Sequence, residues 1–527
     1  MKKLLPVILL SLLAYTTFAQ RKVDVLHYKY LLEVNDANDT LRGTAIIKVE
    51  FLQNAGSFDL DIILDDGEHG MIIQHAAGKD LRGFFRVGDE KIRLMLIKPM
   101  KQGDTATYTI NYKGVPGDGL IISKNKYGKR TFFSDNWPNR ARYWIPCIDD
   151  PADKATVEFM VTAPSHYQVI SNGTQLMVLN IDEKRKLSHW KEAQELPTKV
   201  MVIGIAEFAV EEAGMVDNIP VSSWVFPQNQ RQGFHDYAQA VDILKFFIDY
   251  IGPYPYKKLA NVQSKTIFGG MENASAIFYA ENSVTGNRSG ERTVAHEIAH
   301  QWFGNMVTEQ HFSHLWLSEG FATYMSHIYL EKKYGIARLK EELRTDRKQV
   351  IEFAKEQQRP VVDSTTRLMD LLNANSYQKG GWILHMLRRE TGDSLFQAII
   401  RKFYSEFAGG NAISSDFKEI VEEVTGRDWN KFFHQWLHYT DIPTLEVSWI
   451  SEAEDKNIMV NVVQQQENLF EFPLHITIKM QTGETLYHSL NVNEKNQSFL
   501  IETNGKVKGI EVDPAVDLLA EIVVVNQ

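Results

Sequence analysis

The stretch VAHEIAHQWFGN, Val294–Asn305, sets two histidines four residues apart with a glutamate directly after the first. On a helix four residues turn the chain by about 400°, so His296 and His300 project from nearly the same direction, one turn apart. Two imidazoles so placed can share one zinc ion, and Glu297, one step round, can reach a water on that ion without ligating it. The bland reading is a core helix with incidental histidines. Against it, Val294 to Trp302 is otherwise apolar but for Gln301, and imidazoles and a carboxylate buried there are costly unless something compensates them.

A catalytic zinc needs a third protein ligand and an open position. Downstream, LWLSEGFATYMSHIYL reads as a second helix with Glu319 near its start, 18 residues intervening between it and His300. Glu319 reads either as that third ligand or as a first-turn glutamate favoured by the helix dipole. The only cysteine is Cys147, so a cysteine-based zinc site and an intramolecular disulfide are both excluded.

Outward from these motifs, 527 residues are too many for one core and imply several domains. From about Val23 to Phe226 apolar residues alternate, as in Tyr28, Tyr30, Leu32 and Val34, the period of half-buried strands. At Pro227 the texture changes: Phe234, Tyr237, Val241, Leu244 and Ile248 recur at helical spacing, and helical patterns run to about Tyr439. Beyond Pro443 the period of two returns in Leu445, Val447 and Trp449 and in Leu474, Ile476, Ile478 and Met480. The expectation is a multidomain α+β chain: an N-terminal all-β domain at 20–226, a mainly helical domain at 227–440 and a C-terminal β-sandwich at 441–527.

The first residues, MKKLLPVILLSLLAYTTFAQ, join a basic start to an apolar run and small residues at Thr17 and Ala19, a secretory signal peptide over 1–19. It predicts export to a periplasm or the exterior, and no later segment is apolar enough to span a bilayer. A net charge of -10 disfavours nucleic acid and anionic membranes as partners. The oligomeric state is open.

HEIAH, 18 residues, then the glutamate of WLSEG resembles the zinc signature of the gluzincin aminopeptidases, the family of aminopeptidase N and the leukotriene hydrolase. Gly269, Gly270, Met271, Glu272 and Asn273 stand where that family has its GxMEN exopeptidase motif, and RARYWIPCIDDP, IGPYPYKKL, SYQKGG and WLHYTDIPTLEV extend the likeness over most of the chain. The resemblance implies a thermolysin-like central domain with one zinc per chain on His296, His300 and Glu319. It implies Glu297 as general base, Glu272 as the anchor for the free α-amine of peptide substrates, and Tyr377, in SYQKGG, as hydrogen-bond donor to the developing oxyanion. Gly269 and Gly270 would let backbone approach an extended substrate.

Two positions depart from the family pattern, and one element of it is not found. Trp137 stands where the family usually has Gln or Glu beside the amine, and it reads either as a wall of the first side-chain pocket, with a cation-π contact, or as packing in the β domain with Asn136 or Asn139 nearer the amine. Ser318 replaces the usual Asn before Glu319. No helical C-terminal domain follows the β-sandwich, so the expectation is a short form with a more open cleft, or one covered by a partner subunit.

Overall fold

The computed structural model describes residues 21–365, 367–451 and 457–526; the expected signal peptide at 1–19 lies outside the described residues. The alternation read from sequence buries what it should: Tyr28, Tyr30, Leu32 and Val34 face the core, at 0–4% exposure. Their strand, Val23–Glu33, lies in the middle of a seven-stranded sheet. It pairs antiparallel with Leu41–Phe51 on one side and parallel with Lys154–Pro164 on the other. A four-stranded and a three-stranded sheet complete the first β region.

The expected boundary after Phe226 cuts through a sheet. Ala209–Val216 and Ile219–Val225 belong to a five-stranded sheet with Leu259–Ser264, Ala276–Ala280 and Gly270–Met271, in that order. Ile219–Val225 pairs in parallel with Leu259–Ser264, through the crossover helices that follow it. The change of texture at Pro227 therefore marks the start of those helices inside the central region, since periodicity reports element type and not which sheet a strand joins. The helical stripe from Phe234 to Ile248 is likewise split, into α1 (Gln230–Tyr237) and α2 (Ala240–Tyr250), and Ala240, Ile243, Leu244 and Phe247 are the residues it buries most completely.

Seven further helices follow among the described residues: α3 (Glu291–Ala299), α4 (Trp316–Tyr334), α5 (Ile336–Glu356), α6 (Gly380–Thr391), α7 (Asp393–Phe407), α8 (Ser414–Thr425) and α9 (Asn430–His438). Helix α4 is the axle of this region, buried without interruption from Trp316 to Leu330. A helix apolar all round needs neighbours all round, and α3, α5 and α6 supply them. Where α4 crosses α6, a Cβ on Gly320 would come within 2.8 Å of the Gly380 backbone, so only glycine permits that approach. None of the helices among the described residues is long and apolar enough to cross a membrane.

The last region is two packed sheets, of four and three strands, as its alternation indicates. Arg347 on α5 joins it at Asp513 (2.5 Å), and His385 on α6 meets the Val516 carbonyl (3.1 Å). The first β region is tied to the helices by Lys154, whose ammonium donates to the Met306 and Gly410 carbonyls at 2.8 and 2.7 Å. Lys199 and Glu309 form a second tie, a buried ion pair of 2.5 Å.

Candidate metal centre and active site

Helix α3 ends at Ala299, and His300 continues its last turn through an N–H to His296 C=O bond of 3.2 Å. His296 and His300 therefore face the same way, and α4 brings Glu319 opposite them in its first turn. Nε2 of His296 lies 3.0 Å from Nε2 of His300, and a Glu319 carboxylate oxygen lies 3.3 and 3.1 Å from the two. Nδ1 of His300 is 3.0 Å from the Phe303 carbonyl, which only accepts, so Nδ1 carries the hydrogen and Nε2 presents a lone pair in the neutral ring. The Ser318 hydroxyl is 3.2 Å from the same Nδ1. Two imidazole lone pairs and a carboxylate aimed at one point repel one another unless a cation sits among them, and this donor set and its closure by buried partners fit zinc.

The electrostatics record the same demand. Burial works to lower the His300 pKa, but Glu319, Glu272 and Glu297 outweigh it and hold the ring protonated when a proton is the only cation available. Burial would raise Glu319, yet His300 and His296 keep its carboxyl well below the usual range. His296 goes the other way, pushed down to about 4 by burial.

Glu297 sits on the same turn, 6% exposed. Burial, with Glu272 and Glu319 close by, pushes its carboxyl well above the ordinary value against the pull of His300. Gly270 makes room for it: a Cβ there would lie 2.3 Å from Glu297 Oε1. The glycine expected to admit substrate backbone thus serves first to seat the carboxylate, while a Cβ on Gly269 would meet nothing within 4 Å.

These groups open on a cavity of about 490 Å³, whose wall also includes Trp137, Phe268, Met271, Glu272 and Tyr377. Glu272 is 5% exposed, and its Oε1 has no hydrogen-bond partner. Burial raises its pKa, opposed by His300 and Lys199. Tyr377 lies in a π-helical turn, Asn375–Lys379, that feeds α6, and its ring stacks on His296 with centroids 5.9 Å apart. Such turns add a residue to a helix and re-aim a side chain. Burial and the Glu319 and Glu272 carboxylates push its phenol well above the ordinary pKa, so it stays a donor.

Asn273, expected in the substrate-binding set, lies behind the wall, and neither its side-chain nitrogen nor its oxygen has a hydrogen-bond partner. It is 0% exposed and absent from the cavity wall, because the chain turns inward there, with the Asn273 carbonyl accepting from Ala276 N–H at 3.1 Å. Trp137 is on the wall, 2% exposed, edge-on to Phe268 and Phe312. Asn136 is not free for an amine: its Nδ2 donates to the Thr198 and Met201 carbonyls, and its Oδ1 accepts from Trp144 Nε1.

Sequence reasoning passed over two residues of its own opening stretch. Gln301 Nε2 and Asn305 Nδ2 both donate to the Glu272 carbonyl, each at 2.7 Å, and Gln301 Oε1 accepts from Ser275 N–H at 2.8 Å. The residues after HEIAH therefore clamp the strand that carries Glu272. Two buried amides flanking Trp302 and Phe303 were the available signal, since buried amides need partners.

Comparison with known proteins agrees with this architecture. The profile of the peptidase M1 N-terminal domain matches residues 25–200, and that of the peptidase family M1 domain matches residues 235–436. Among curated relatives, Aminopeptidase M1-C of Oryza sativa subsp. japonica is 28% identical over 58% of this chain and 37% of its own length. Aminopeptidase 2 of Candida albicans is 24% identical over 93% of this chain and 56% of its own. Endoplasmic reticulum aminopeptidase 1 of Homo sapiens is 26% identical over 91% and 52%. The chain spans about half the length of the curated relatives it matches. With both M1 domains matched in order and the gluzincin motifs gathered at one cavity, the chain belongs to peptidase family M1.

Proposed function

We propose that this protein is a zinc-dependent aminopeptidase that removes the N-terminal residue of peptides. The observation that carries the reading is the convergence of His296, His300 and Glu319 at a cavity that also holds Glu272, a buried carboxylate with an unpartnered oxygen. Zinc held by the triad supplies a positive charge that acidifies the attacking water and polarises the scissile carbonyl.

The chain's own groups do the rest. Glu272 receives the substrate ammonium through charge-assisted hydrogen bonds, which fixes the cut after the first residue. Gly270–Met271 is the outermost strand of its sheet, so an extended peptide can add along its free edge. Glu297 takes the proton from water and passes it to the leaving amine. The Tyr377 hydroxyl donates to the carbonyl oxygen as charge develops there, a contribution on the order of 3 kcal/mol. Trp137 and Phe268 wall the pocket for the first side chain. Export to a periplasm or the exterior is part of this reading, supported by the basic and apolar start of the sequence.

Purified protein should carry one zinc per chain and cleave a peptide with a free N-terminus but not its N-acetylated copy. Equal rates on the two would make it an endopeptidase, and no cleavage with zinc bound would make it a peptide-binding relative.

A further inference from the structure

Beside the main cavity lies a second recess of about 230 Å³, and Gly269 and Thr293 line both. Gly269 and Glu272 flank the two-residue edge strand Gly270–Met271, along which a substrate would run. An extended peptide held at Glu272 brings its second or third residue there.

The recess wall is rich in acceptors. Asp236 is 3% exposed and forms no ion pair among the described residues. Its Oδ2 accepts from the backbone N–H of Thr285 and Gly286, both 2.7 Å, and its Oδ1 from Arg288 N–H at 2.9 Å, which leaves Oδ1 with spare capacity. Gln239, also 3% exposed, has an Oε1 with no hydrogen-bond partner. Four of the lining hydroxyls are paired, Tyr237 with Ser283 at 2.8 Å and Ser289 with Thr285 at 3.2 Å. Arg292, on the main cavity wall, is held by Glu342 and Asp346 at 3.1 and 3.3 Å. No lysine or arginine lines the recess among the described residues, so its carboxylate faces no side-chain cation.

We propose that this recess is a subsite for a basic side chain, lysine or arginine, at the second or third position of the peptide, read by Asp236 and Gln239. The assignment rests on the aminopeptidase reading above. An ammonium brings three donors and a guanidinium five, enough to meet both acceptors. A carboxylate would face Asp236, and an apolar chain would leave the Gln239 oxygen unpaired.

The test uses full-length protein and peptides with N-terminal alanine and lysine, norleucine or glutamate at position two or three. At one of the two positions kcat/KM should favour lysine over norleucine about tenfold, the worth of one charge-assisted hydrogen bond, with glutamate slowest. Gln239→Leu should reduce the preference several-fold and Gln239→Glu should increase it, while both variants keep the parent rate on an alanyl amide reporter with no second residue. Cleavage of all the peptides without preference, or a preference unchanged in both variants, overturns the subsite alone. Failure to cleave any peptide or the reporter overturns the aminopeptidase reading and the subsite with it.

Discussion

Buried charge is handled in opposite ways at two places in this molecule. Between the first β region and the helices, the Lys199 and Glu309 side chains, 2% and 0% exposed, face each other at 2.5 Å and satisfy most of what burial demands, though one Glu309 oxygen is without a donor. In the cavity, His300, Glu319, Glu297 and Glu272 are buried beside a half-buried His296, and among the described residues none of them forms an ion pair with a lysine or arginine. The first set is closed by the protein. The second closes only around something from outside, and that incompleteness is what marks it as a site.

The comparison is broken most severely at Glu297. Glu297→Gln keeps the shape beside Gly270 but removes the base, so kcat should fall by about 10²–10⁴ with zinc per chain unchanged. Aminoacyl reporter kinetics beside bound-metal analysis would show it, and near-parent turnover would remove Glu297 from the mechanism.

The closed pair makes the contrasting prediction. Lys199→Met strands a buried carboxylate and should destabilise the fold by about 3–5 kcal/mol, read as a lower urea midpoint, while zinc content stays at the parent value. Adding Glu309→Leu removes the stranded charge and should restore most of the midpoint. Single and double variants that unfold alike would mean the pair is not energetically closed.

A smaller effect sharpens the same border. Burial, with Lys199 nearby, pushes the Lys154 ammonium down to about 7, against an ordinary value of about 10.4. Between those values the unfolded chain binds more protons than the folded one, so stability rises with pH. Lys154 should contribute up to about 1.4 kcal/mol per pH unit between roughly pH 7 and 8.5. Melting curves of Lys154→Met across that window should rise less steeply than those of the parent, and parallel curves would show that Lys154 is not the titrating group.

Much of the site was legible because local spacing carries it. Histidines four apart share a helix face whatever surrounds them, and strand alternation in Val23–Glu33 gave the buried set directly. The π-helical turn at Tyr377 was not legible, since it depends on α4 and α6 meeting at Gly320 and Gly380, far apart in sequence. Nor was the seat of Glu297, which needs Gly270 packed against α3.

The element types, the candidate ligand types and the order of the three regions are written locally, because propensity, periodicity and i to i+4 geometry act over a few residues. That Glu319 lies within 3.3 Å of both histidines comes from the folding of the chain. So do the bonds from Gln301 and Asn305 to the Glu272 carbonyl, and the membership of two strands before Phe226 in the sheet that ends at Gly270–Met271. These are contacts between segments distant along the chain, which no local preference specifies.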